Sequence, residues 1–191
     1  MPEPRSWQGM WAKYADRLLE QTGEDVQVWN ERVLSDAPDN EADVRAWLAK
    51  RDIHGYTQHL LILERFGYPD YLQADDQDLI DNQYADREHL RPILDGLLDL
   101  VRANHPDVEI VGRKTYVPLY TPRRQFAVVK PTTRSRVDLG LRLDGHQPSG
   151  RMVPAKNLGN ETINLRVPLA GVDDIDDEVA EVLELAWSEN S

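Results

Sequence analysis

Arg136-Val137-Asp138-Leu139-Gly140-Leu141-Arg142-Leu143 alternates without a break. Val137, Leu139, Leu141 and Leu143 point one way, and Arg136, Asp138, Gly140 and Arg142 the other. A period of two over eight residues is the signature of an extended strand with one buried face. Nearby segments repeat the pattern. Thr115, Val117 and Leu119 alternate with Lys114, Tyr116 and Tyr120, and residues 125–130 read as a strand after the turn at Pro122. Beyond a Gly- and Pro-rich loop at 144–160, Ile163, Leu165 and Val167 oppose Thr162, Asn164 and Arg166.

Two amphipathic stripes at helical spacing flank these strands. Leu90, Ile93, Leu94, Leu97, Leu98 and Val101 form the first, expected to be capped by Asp86 and to stop before Pro106. The second covers residues 175–187, with Val179, Val182, Leu183 and Ala186 on its apolar side. Helix, strands, helix predicts an α+β domain with a mainly antiparallel sheet over residues 87–191. Two helices cover one face of such a sheet. The apolar rows, Ile163 included, are therefore expected beneath them, and the other face is expected to be open.

Upstream the period is helical. Trp7, Met10, Trp11, Tyr14 and Leu18 follow Ser6, a good cap, and Gly23 follows the helix end. Val26, Trp29 and Val33 mark a second helix. Asn40 opens a third carrying Val44, Trp47 and Leu48, and a fourth spans 56–66 before Gly67 and Pro69. Residues 1–67 are thus predicted as a small helical module with its tryptophans in the core. Residues 68–86 are predicted as an acidic linker containing a short helix at 75–82.

Charge picks out the candidate site. From Arg113 to Arg136 there are seven basic side chains and no carboxylate, in a chain with 22 Lys and Arg against 34 Asp and Glu and a net charge of −12. Residues 1–86 carry −10, residues 87–171 carry +6, and the remainder from Val172 carries −8. A one-sign patch attracts the opposite charge, from a ligand or from its own chain. By the alternation, Lys114, Tyr116, Tyr120, Arg136, Arg142 and Arg166 share the open face. Cations interleaved with tyrosines suit a nucleic acid or a phosphorylated small molecule.

Other chemistry is thin. The chain has no cysteine, which excludes disulfides, thiol nucleophiles and thiolate metal sites. No apolar run is long enough to span a membrane, and the N-terminus lacks a secretory pattern, so a cytoplasmic location is expected. His54 and His59 stand five apart, where two ligands on one helix face stand four apart. The carboxylates from Asp173 to Glu178 suit a helix N-terminus. No phosphate-cradling loop or nucleophile elbow occurs, and Gly112, Gly140 and Gly150 read as turns or bulges. No catalytic residue, metal ligand or cofactor is assigned.

The chain also resembles two families. Thr22-Gly23, Trp29, Trp47-Leu48 and His54-Gly55 are similar to the helical family called domain of unknown function 4287. Lys114-Thr-Tyr116, Phe126-Ala127, Pro131, the segment 137–141, Gly150-Arg151 and Glu184-Leu-Ala186-Trp187 resemble domain of unknown function 5655. The two families occur together in this order, which implies the two-part architecture; neither implies an activity. Fusions of the second to nuclease-like proteins imply a link to nucleic acid. Where that family would place a Thr-His pair, this chain reads Thr162-Ile163-Asn164. The expected function is a non-enzymatic binding protein for a phosphate-bearing ligand. The alternatives are an interaction protein whose acidic helices mask the basic face, and a small-molecule enzyme with His54, Tyr116 and Lys114 at a site between the modules.

Overall fold

A computed structural model of the chain describes residues 7–191, with side chains from Gly9 onward. Ser6 and the Trp7 side chain lie outside the described residues. Two compact units meet in sequence at Gln73 and Ala74.

The first unit is helical. Helices α1 (Trp7–Thr22), α2 (Val26–Asp36), α3 (Glu41–Ala49) and α4 (Gly55–Phe66) enclose Leu18, Trp29, Val33, Val44, Leu48, Ile53, Leu61 and Ile62. Local chemistry sets the ends. Asp25 caps α2 through the amide of Val28, and Asn40 caps α3 through that of Asp43. Gly23 closes α1 at φ 76°, a left-handed conformation that costs a glycine little. A four-residue helix, α5 (Asp70–Gln73), follows.

The second unit opens with α6 (Asp76–Tyr84), capped by Asp75. Its Ile80 and Tyr84 belong to the unit's main core, so this part of the expected linker is structural. Helix α7 (Arg91–Asn104) buries Ile93, Leu94, Leu97, Leu98 and Val101. Asp86 does not cap it: a 3-10 turn at Glu88–Leu90 leads in, and Asp86 pairs with Arg87 at 2.7 Å.

The sheet then forms from β1 (Glu109–Ile110), β2 (Val117–Tyr120), β3 (Gln125–Thr133), β4 (Arg136–Leu141), β5 (Val153–Pro154) and β6 (Leu165–Leu169). It is antiparallel, in the order β1-β2-β3-β4-β6-β5, and α8 (Asp177–Asn190) closes the unit. The result is the expected α+β class. Register aligns Val117, Val129, Leu139 and Val167 in one row and Leu119, Ala127, Leu141 and Leu165 in the next, all in the core with α7 and α8.

Ile163 departs from its expected row. Strand β6 starts only at Leu165, because the Asn164 side chain bonds both the amide (2.8 Å) and the carbonyl (2.6 Å) of Leu143. Ile163 therefore turns to the opposite face and joins Val128 and Leu158, with Tyr116 and Ala155 against them. That face is partly roofed by the loop at 155–163. Gly140 makes room for the roof: a Cβ there would stand 2.6 Å from Ile163 Cγ2 and from Val128 Cγ2. Gly112 permits a tighter approach, since its Cβ would lie 2.2 Å from the carbonyl oxygen of Asp76.

The loop before β5 is latched to α8. Arg151 donates through Nε to Glu178 Oε2 at 2.9 Å and pairs with Asp176, while its amide donates to Glu178 Oε1 at 2.8 Å. Gly150, at φ 55°, lets the backbone reach that carboxylate. The Arg151 amide and guanidinium hold Glu178 below its ordinary 4.5, and the amides of Ala170 and Gly171 hold Asp174 below 3.8.

Two outcomes follow for stability. Gly112→Ala forces a methyl into main chain and is expected to cost about 1–3 kcal/mol in urea unfolding; an unchanged midpoint would contradict the close approach. A carboxylate whose folded pKa is depressed stabilises above its unfolded value and loses that contribution as pH falls. Stability should therefore weaken below about pH 4.5, and Arg151→Ala should flatten that acid slope in denaturation measured from pH 7 to 3.

Candidate anion-binding sheet face

On the face away from α7 and α8, register sets Gly140 opposite Arg166 and Asp138 opposite Pro168. Arg166 is thus the diagonal neighbour of Asp138, and Arg136 sits two residues before it on the same strand face. Asp138 is fully buried. Arg166 Nη1 donates to its Oδ2 at 2.7 Å, and Arg136 Nη2 donates to the same oxygen at 3.3 Å. Arg136 Nε lies 3.1 Å from Oδ1, an ion-pair distance outside hydrogen-bond alignment. The two arginine side chains remain 35% and 25% exposed.

This triad holds two guanidinium groups with one carboxylate and keeps one formal positive charge. Burying Asp138 is costly, and only its two charged donors make it tolerable. In return the carboxylate orients both arginines and restricts their rotamer freedom.

The remaining expected residues spread away from this centre. Arg142, at the far end of the row, has Nε 3.4 Å from Asp144 Oδ2. Lys114 is exposed on the turn before β2. Tyr120 ends β2 opposite Gln125. Tyr116 is half-buried under the loop at 155–163, and burial pushes its phenol above 10.

Several cations of the acid-free stretch end on the chain's own acceptors. Lys130 Nζ donates to the Asn157 carbonyl at 3.0 Å, pinning the roof loop. Arg124 Nη2 donates to the Glu189 carbonyl at 3.1 Å, near the negative end of α8. Asp138 was visible in the sequence only as a member of the polar row; its one signal was a carboxylate two places after Arg136 in an alternating strand.

Elsewhere, His54 is exposed at the start of α4 with no side-chain capping bond. Among the described residues no group of three His, Asp or Glu could hold a metal ion. No helix among them is long and apolar enough to cross a membrane.

The second unit is thus a small α+β module: two amphipathic helices on one face of an antiparallel sheet, a charged triad and a short loop roof on the other. The chain belongs to the family described as domain of unknown function, DUF5655, whose pattern matches residues 80–190, from α6 to the last residue of α8. No curated protein and no solved structure matches the chain.

If Asp138 anchors both arginines, Asp138→Asn should cost about 1–3 kcal/mol in urea unfolding, with Arg136→Ala costing less because Arg166 still neutralises the carboxylate. Equal stability of Asp138→Asn and the parent chain would remove the anchoring role.

Proposed function

We propose that the second unit is a non-enzymatic binding module that takes a phosphate-bearing ligand, foremost a nucleic acid, on the sheet face opposite α7 and α8. One observation carries this reading: Arg136 and Arg166 are oriented by a buried carboxylate yet stay partly exposed. Guanidinium forks oriented in this way match the paired oxygens of a phosphate. Arg142, Lys114, Tyr120 and the accessible part of Tyr116 extend the surface. Much of the local positive charge is matched internally, so few phosphates are neutralised and the salt dependence is shallow.

Fluorescence anisotropy with a labelled single-stranded oligonucleotide tests it. Binding at low salt should weaken about tenfold or more in the Arg136→Ala, Arg166→Ala double variant. The slope of log K against log salt should correspond to roughly one to two phosphates, about −0.7 each. No binding at low salt, or binding indifferent to the double variant, sinks the proposal.

A second reading has its own support in Lys130, Arg124 and Arg151, which all end on internal acceptors. Here the module is an interaction or structural protein whose cations hold its own loops. It predicts that the double variant, under conditions where it stays folded, is retained on heparin as the parent chain is; retention lost in the folded variant would refute it.

For the first unit we propose membership of domain of unknown function 4287. Support lies in residues of the resemblance that shape its fold: the Trp29 indole donates to Thr22 Oγ1 at 2.9 Å, and Gly23 and Gly55 hold φ 76° and 60°. A solved member of that family with a different helix order would refute the assignment. A cysteine-free composition supports a cytoplasmic setting for the whole; fractionation that finds the protein outside the cytoplasm would overturn this.

A further inference from the structure

The arginine triad has a neighbour on β3 that raises its charge. Register sets Lys130 directly opposite Asp138, on the same face of the sheet. Lys130 is half-buried and donates to the Asn157 carbonyl at 3.0 Å, which leaves other ammonium hydrogens over. That acceptor is neutral, so it orients the lysine without cancelling its charge. Arg136 meets Asp138 through Nη2 and Nε, and Arg166 meets it through Nη1. Arg136 Nη1 and Arg166 Nη2 have no acceptor among the described residues, and both side chains stay partly exposed. Three cations around one carboxylate leave two positive charges at a single place on the sheet.

That place is walled on one side. Gly140, the next residue on this face of β4, is buried beneath the roof loop. A Cβ there would stand 2.6 Å from Ile163 Cγ2 and 3.4 Å from Leu158 Cδ1. The roof therefore separates the triad from Arg142, and a polyanion laid along β4 would have to climb over it to touch both. An internal phosphodiester carries one negative charge and needs an exit on two sides. A phosphomonoester carries about −1.5 to −2 at pH 7, presents three terminal oxygens, and needs an exit on one side only. Charge and wall favour the same ligand.

We propose that Lys130, Arg136 and Arg166 form a site for a terminal phosphomonoester, as on the phosphorylated end of a nucleic-acid strand or on a mononucleotide. The inference rests on the sheet-face reading and narrows it: the phosphate group is an end, not an interior link. Its oxygens accept from Arg136 Nη1, Arg166 Nη2 and Lys130 Nζ, and the rest of the ligand leaves away from the roof.

Fluorescence anisotropy of the full chain at low salt tests it with a short single-stranded oligonucleotide labelled at its 3′ end and carrying either a 5′-phosphate or a 5′-hydroxyl. The phosphorylated form should bind roughly three- to tenfold more tightly. Lys130→Gln keeps a donor for the Asn157 carbonyl while removing the charge, and should shrink that preference to about twofold or less. Unlabelled AMP separates the two sources of a phosphomonoester. Displacement as strong as by the phosphorylated oligonucleotide shows that the free nucleotide suffices, and weaker displacement shows that the strand contributes; either supports the inference. Equal binding of the phosphate and hydroxyl forms, both lost in the Arg136→Ala, Arg166→Ala double variant, overturns it and leaves the sheet-face reading standing. A preference undiminished in Lys130→Gln overturns it as well, and binding of neither form sinks both.

Discussion

Strand β4 has to satisfy two unlike faces with six residues, and the rest of the second unit follows from how it does so. Val137, Leu139 and Leu141 are fully buried toward α7 and α8, and that burial is the main favourable term available to so small a domain. Alternation then obliges Asp138 and Gly140 to face the other way, at the centre of the sheet, with β3 on one side and β6 on the other. A carboxylate so placed cannot be hydrated. It must be paired, and the diagonal position on β6 and the preceding position on β4 are the nearest places from which a cation can reach it. Arginine occupies both. Gly140 solves the neighbouring problem by leaving room for a loop to cover Val128.

The charge segregation looks different in this light. A basic stretch in an acidic chain suggests an outward-facing patch, but much of its charge has internal work. Lys130 fastens the roof loop, Arg124 answers the carbonyl end of α8, and Arg136 shares Asp138. Arg151, beyond the stretch, draws three acidic residues of the α8 entry together. What remains unmatched is a smaller, better oriented charge than the sequence count implies. Orientation favours selectivity for ligand geometry over strong, salt-sensitive attraction.

How far the fold was legible depended on element length. Eight alternating residues at 136–143 and five apolar positions at 3–4 spacing in α7 leave few alternatives. The cap Asn40 marks the start of α3 because its side chain accepts from the amide of Asp43, a donor that the helix leaves unpaired. Strands β1 and β5 have two residues each, too few for a period to show. Ile163 was misplaced because the alternation passes through Asn164, whose side chain takes over backbone bonds that a strand would have made. The other face is open only in part for a related reason: helices are not the only cover, and a loop carrying Leu158 roofs Val128 and Tyr116 while Arg136 and Arg166 stay partly exposed. Arg136, Arg142 and Arg166 were readable as one row. That Asp138 joins two of them was not, because the diagonal depends on the β4–β6 register, which no single strand encodes.

The residues by which the chain resembles its family are, in the structure, mostly those that hold it together. Trp187 stacks on His105 at 3.9 Å and meets Phe126 edge-on at 5.2 Å, tying α7, β3 and α8 at one point. Gly150 and Arg151 form the α8 latch, and Tyr116 supports the loop roof. Such a pattern identifies a fold and is silent on a ligand, since a residue serving the core has little surface left for recognition. The exception lies inside the stretch at 137–141. Asp138 has no packing role that an apolar residue could not fill better, and an apolar residue there would avoid the cost of a buried charge altogether. What it does is steer two arginines whose side chains stay partly exposed, and the proposed binding role rests on that arrangement.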